Sequence, residues 1–100
     1  MDKYAIEILF WAEQDLNEIA LYYKKISNEV GDKFYSEVRT AIESLKINPF
    51  YQTDSNSIRK IPLQKFPYKV FFKVDEENKT VHVLAIISDR LLPFSAKIKI

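Results

Sequence analysis

One hundred residues, 47% of them hydrophobic and 29% charged, suit a single domain over 1–100, with a formal charge of only +1. No cysteine and a single histidine exclude a disulfide framework, a thiolate metal site, a cysteine nucleophile and an all-histidine metal cage, so neither metal nor cofactor is expected. One glycine leaves no glycine-rich phosphate loop, and 14% aromatic content argues against disorder.

Met1-Asp2-Lys3-Tyr4 lacks the basic-then-apolar pattern of a signal peptide, and no uncharged apolar run approaches the roughly 18–20 residues that span a bilayer. The expected location is the cytoplasm, with no membrane contact. Tyr4 to Leu9 alternates Tyr4, Ile6 and Ile8 against Ala5, Glu7 and Leu9 and predicts a strand. From about Ala12 the period becomes helical, with Ala12, Leu16, Ile19, Ala20 and Tyr23 on one stripe. Trp11 stands where a polar cap is usual, so it is expected to pack at a poorly capped helix start. Ser27-Asn28 supplies cap candidates for a second helix, which carries Val30, Phe34, Val38, Ala41, Ile42 and Leu45 and stops near Asn48-Pro49.

Tyr51 to Ser57 reads as a loop. Ile58 to Leu63 is a short strand that Pro62 sends to an edge or ends. Tyr68 to Val74 alternates Val70, Phe72 and Val74 against Lys69, Phe71 and Lys73. The turn Asp75 to Lys79 leads into Thr80 to Ser88, apolar on both faces except for His82, which suggests an interior strand in an antiparallel hairpin. The order β-α-α-β-β-β is an α+β fold with a helical hairpin on a mainly antiparallel sheet.

The near-neutral total hides two halves. Residues 1–54 hold six basic and ten acidic side chains, a net of −4. Residues 55–74 hold Arg59, Lys60, Lys65, Lys69 and Lys73 with no acid, a net of +5. Interleaved with Phe66, Tyr68 and Phe71, such a stretch suits phosphates and bases, or an acidic partner. It equally describes a solvated sheet face whose lysines guard an edge strand.

Tyr4-x-Ile6, Ala12-x-x-Asp15-Leu16-x-x-Ile19, Phe34 and Leu45-x-x-x-Pro49 are followed by Ile58-Arg59-Lys60-Ile61-Pro62-Leu63 and Phe66-Pro67-Tyr68-Lys69-Val70. Together they resemble the RelE/ParE superfamily of type II toxin–antitoxin toxins over nearly the whole chain, nearer the ParE branch. The resemblance implies a small bacterial toxin neutralised by a cognate antitoxin. ParE-like members poison DNA gyrase without chemistry, whereas RelE-like members enter the ribosome and cleave mRNA. For the ParE-like reading, Arg59, Lys60, Lys65, Tyr68 and Lys73 are the candidate contacts with target or antitoxin.

Metal-independent RNA cleavage needs a base for the 2′-hydroxyl, cations for the phosphorane and an acid for the leaving oxygen. In the RelE-like reading Lys69 stands where such enzymes place a phosphate-binding arginine, and Arg90 matches a basic position after the last strand. A lysine base among cations is one route to the missing proton acceptor. The tail histidine or tyrosine of those enzymes is absent, since Asp89-Arg90-Leu91-Leu92-Pro93-Phe94 follows Ser88. A third reading is therefore a non-toxic remnant kept as a binding module. His82 is expected to be structural or at the surface, and Glu37 and Glu43 solvated. Tyr22, Tyr23 and Tyr35 are expected at the core edge or in the hairpin. Leu91, Leu92 and Phe94 either close the core or offer a docking patch.

Overall fold

The computed structural model describes residues 3–50, 53–55 and 57–89, which run β1 (Ala5–Ile8), α1 (Phe10–Ile26), α2 (Asn28–Ser44), β2 (Thr53–Ser55), β3 (Ile58–Pro62), β4 (Tyr68–Asp75) and β5 (Thr80–Ser88). The sheet order is β1-β5-β4-β3-β2, antiparallel throughout except for the parallel pair β1–β5. This is the expected α+β layout with a helical hairpin on one face. It carries one strand more, because Thr53 to Ser55, expected in a loop, pair with Ile58 and Arg59 across a turn at Ser57. Ser57 adopts φ 66°, the left-handed conformation such a turn demands.

α1 begins at Phe10, two residues before the helical stripe does, with Leu9 at the cap position and no side-chain cap, as expected from the apolar start. Trp11 does not pack there. It is 68% exposed, with its ring 5.2 Å from that of Phe10. Its position on the outer side of the helix, away from Ala12 and Leu16, explains the departure. Ser27 does sit at the start of α2, although its hydroxyl makes no cap bond. Gly31 is buried at the crossing with α1, where a Cβ would lie 2.2 Å from Lys24 Cγ.

α1 lies over β5 and α2 over β4. The main core joins Leu16 and Ala20 of α1 and Phe34, Val38 and Ile42 of α2 to Ile61, Val70, Phe72, Val81, Val83 and Ile86 of the sheet. Asp15 fastens the layers, its Oδ2 accepting the backbone N–H of Ile86 at 3.1 Å. β1 pairs only as far as Val83, so this carboxylate meets the stretch of β5 that β1 leaves uncovered.

β5 contains a surplus residue. Phe71 pairs with Ala85 and Phe72 with Val83, which leaves Leu84 as a bulge. Phe71, Ala85 and Ile87 thereby form a second buried cluster, with Ile58 and Leu84 against it and no helical residue in it. That cluster marks the face of the sheet turned away from the helices. β5 lies between β1 and β4, the interior position expected of it, and β3 ends at Pro62 as expected.

Candidate functional site

Strand alternation decides which basic residues share a surface. Lys60 lies on the same side of β3 as Ile58, and Lys69 and Lys73 on the same side of β4 as Phe71, so three of the five cations of the 55–74 stretch fall on the face turned away from the helices. The register sets Lys60 opposite Phe71, Lys69 opposite Pro62 and Ile87, and Lys73 opposite His82. An apolar strip centred on Phe71 is thus bordered by three ammonium groups.

Two of those borders have acidic neighbours. Lys69 Nζ is 2.6 Å from Asp89 Oδ1, with both side chains partly exposed. Asp89 is itself positioned by its backbone, whose N–H donates to the Pro67 carbonyl at 2.8 Å. The lysine thus has a carboxylate beside it, whereas a lysine base was expected to stand among cations. At the other end of the face, His82 Nδ1 lies 2.6 Å from Glu7 Oε1 across the parallel β1–β5 pair, giving a row Glu7–His82–Lys73. His82 accordingly serves as a cross-strand tie, the structural part expected of it.

The remaining candidates lie elsewhere. Arg59 shares the helix-side face with Ile61 and holds its guanidinium 5.4 Å from the centre of the Phe50 ring. Tyr68 also turns to the helix side, 5.5 Å from the Phe34 ring and 6.4 Å from that of Tyr23. Burial, and then Tyr68 as neighbour and hydrogen-bond partner, raise the Tyr23 hydroxyl above its ordinary pKa of 10.0. Tyr23 is therefore the core-edge tyrosine expected. Tyr35, 40% exposed, lines the groove between α1 and α2 with Leu21 and Lys24, a hairpin position as expected, whereas Tyr22 is 59% exposed. Lys65 stands in the loop between β3 and β4. Arg90, Leu91, Leu92 and Phe94 lie outside the described residues.

Glu37, expected to be solvated, anchors that loop. Its Oε2 accepts the backbone N–H of Gln64 at 2.5 Å and of Lys65 at 3.2 Å. Glu43 is an exposed ion-pair partner of Lys46 at 3.0 Å, in keeping with a solvated position. The contact of a candidate residue missed from sequence is that of Asp89 with Lys69, whose one signal was its place one residue beyond β5.

This face supplies cations around an apolar cluster that is itself buried, Phe71, Ala85 and Ile87 being 3–6% exposed. Proton transfer fits it less well. Tyr68 and Lys69, adjacent on β4, point to opposite sides of the sheet and do not meet on one phosphate. Among the described residues, no three His, Cys, Asp or Glu side chains gather as a metal site, and no helix is long and apolar enough to cross a membrane.

The family model described as ParE toxin of type II toxin–antitoxin system, parDE, matches residues 11–92. No curated protein matches the chain. Among solved structures, the chromosomal ParDE system from P. aeruginosa is similar at TM-score 0.75 and 19% identity, over 86% of this chain and 96% of that one. The toxin–antitoxin complex RelBE2 from Mycobacterium tuberculosis gives TM-score 0.61 at 16% identity, over 88% and 93%. The archaeal RelE–RelB complex from Pyrococcus horikoshii OT3 gives 0.57 at 11%, over 90% and 99%. At these identities the likenesses concern the fold.

Proposed function

The chain belongs to the ParE toxin family of type II toxin–antitoxin systems, and on that premise we propose that it inhibits DNA gyrase by binding, without cleaving RNA, and is neutralised by a cognate antitoxin. The observation that carries this reading is the divergence of Tyr68 and Lys69. A ribonuclease needs a proton-transfer group and a cation on the same phosphate. Here the tyrosine is packed among Tyr23, Phe34 and Phe66 while the lysine faces the other way. A binding inhibitor needs only a shaped surface, and Lys60, Lys69 and Lys73 on the face turned away from the helices offer it contacts.

The same surface suits the antitoxin. An antitoxin segment with acidic groups complements the lysines of this face, and Lys65 adds an exposed cation in the loop that Glu37 of α2 holds. The cytoplasm is where such a partner and gyrase are met.

Expression of the chain alone should arrest bacterial growth, and co-expression of the neighbouring gene should restore it. The purified protein should inhibit gyrase supercoiling, and Lys60→Glu with Lys73→Glu should weaken inhibition by roughly tenfold or more, as expected for charge reversal at a contact surface. Codon-phased mRNA cuts on translating ribosomes that vanish in Lys69→Ala would establish the RelE-like reading instead. Normal growth together with unimpaired supercoiling would favour the non-toxic remnant.

A further inference from the structure

The helical layer, on the other side of the sheet from Lys60, Lys69 and Lys73, carries an apolar surface of its own. Phe10, Trp11, Leu21 and Tyr22 of α1 are each more than half exposed. Phe10 and Leu21, and likewise Trp11 and Tyr22, stand about three helical turns apart, roughly 16 Å along the axis, so each pair shares one row of the outer surface. The exposed polar residues Gln14 and Glu18 lie between the two apolar ends. The rings are already held by neighbours. Phe10 and Trp11 meet edge-on at 5.2 Å, and Tyr22 stands against Tyr23 at the same distance. Side chains ordered beforehand lose little freedom when a partner covers them.

These rows read the same from either end. Turned end for end about the level of Leu16, α1 sets Phe10 level with Tyr22, Trp11 with Leu21, and Gln14 with Glu18. Two copies related by a two-fold axis therefore oppose apolar to apolar side chains and an amide donor to a carboxylate, each contact occurring twice. The area is sufficient. Aromatic side chains carry roughly 150–250 Å² each, so these residues leave an apolar surface on the order of 500 Å² per chain. That matches the largest patch of a typical monomer, which is often functional. Two such faces with a polar rim reach the roughly 1,200 Å² at which specific interfaces begin.

We infer that the outer face of α1 is a homodimer interface, on which α1 of a second copy packs antiparallel with the two-fold axis at the level of Leu16. The contact lies wholly in the helical layer, so it is independent of what the lysines of the sheet bind.

The test is sedimentation equilibrium of the full chain, which should give twice the mass of one chain at micromolar concentration. Trp11→Glu with Leu21→Glu sets carboxylates opposite one another across the contact and should raise the dissociation constant roughly tenfold or more. Both side chains are exposed, so the fold should persist, and circular dichroism with a thermal melt checks it. Gln14→Lys, which brings an ammonium to Glu18 of the partner subunit, should tighten the dimer roughly two- to tenfold. Gln14→Glu should loosen it by a similar factor, and both effects should shrink as salt rises. Ile47→Glu, at an exposed apolar side chain beyond α2, is the control and should leave the dimer unchanged. A single-chain mass throughout, a dimer indifferent to Trp11→Glu with Leu21→Glu, equal effects of the two Gln14 variants, or a loss caused by Ile47→Glu would overturn the inference. So would a monomer whose complex with the product of the neighbouring gene is lost in the Trp11→Glu, Leu21→Glu variant, since the face would then belong to that partner.

Discussion

Glu37 on α2 accepts the backbone N–H of Gln64, 27 residues further along the chain, and ties the helix layer to the loop between β3 and β4. The adjacent N–H of Lys65 uses the same carboxylate. Hydrogen bonds to a charged group are stronger than neutral ones, while the exposure of this loop lets water replace part of them. Glu37→Ala should lower stability by about 1–2 kcal/mol in urea denaturation. Glu37→Gln, which keeps one oxygen acceptor, should lose less.

Gly31 is a packing requirement of the helical hairpin. An added Cβ meets Lys24 Cγ at 2.2 Å and the Lys24 backbone Cα and N at 3.0 Å. Alanine is favoured over glycine in a helix by up to about 1 kcal/mol, yet here the two helices must move apart. Gly31→Ala should therefore destabilise by about 1–3 kcal/mol. Combining it with Lys24→Ala, which removes the Cγ, should cost less than the two changes summed, a coupling that thermal melts of the four variants would measure.

Asp15 completes β5 where β1 stops, by accepting the partly buried Ile86 N–H. Removing an acceptor from such a donor costs about 1–3 kcal/mol. Asp15→Ala should show that loss, along with faster hydrogen exchange at Ile86. Asp15→Asn retains a carbonyl oxygen and should recover most of the protection.

The turn after β4 carries a pH dependence. Asp75 accepts the Asn78 side-chain and backbone N–H groups at 2.8 and 3.1 Å, and these bonds, the side-chain one first, lower its pKa from the ordinary 3.8. A carboxylate whose folded pKa is depressed stabilises the fold above the unfolded value, and that contribution disappears as pH falls through the folded value. An NMR titration should place the Asp75 carboxyl midpoint below 3.8, and Asn78→Ala should move it up toward 3.8. A midpoint unmoved by Asn78→Ala would contradict this origin of the shift.

Periodicity made the layers legible: Leu16 with Ala20, and Phe34 with Val38 and Ile42, are core residues at helical spacing. The same rule of alternation put Lys69, Phe71 and Lys73 on one face, where they are found. It also separates Arg59 from Lys60 and Tyr68 from Lys69, a division that grouping the cations by sequence proximity conceals. Thr53 to Ser55 have no apolar alternation, and their strand exists through its pairing with β3. Glu37 and Asp15 resemble any solvated carboxylate in sequence, because their partners are backbone N–H groups 27 and 71 positions away. Side-chain patterning carries no mark of such bonds.

The bulge at Leu84 acts as a change of parity in the chain. Up to Val83 the odd-numbered residues of β5 point toward the helices; after the surplus residue they point the other way, as Ala85 and Ile87 do. Asp89 continues that inverted series and so emerges on the side where Lys69 stands. Deleting Leu84 would remove the bulge yet leave Ala85, Ile87 and Asp89 on the face they occupy, whereas drawing Leu84 into regular alternation would turn Asp89 toward the helical layer and Ile86 away from it. The acidic neighbour of Lys69 is thus set by how the chain accommodates one extra residue five positions before it.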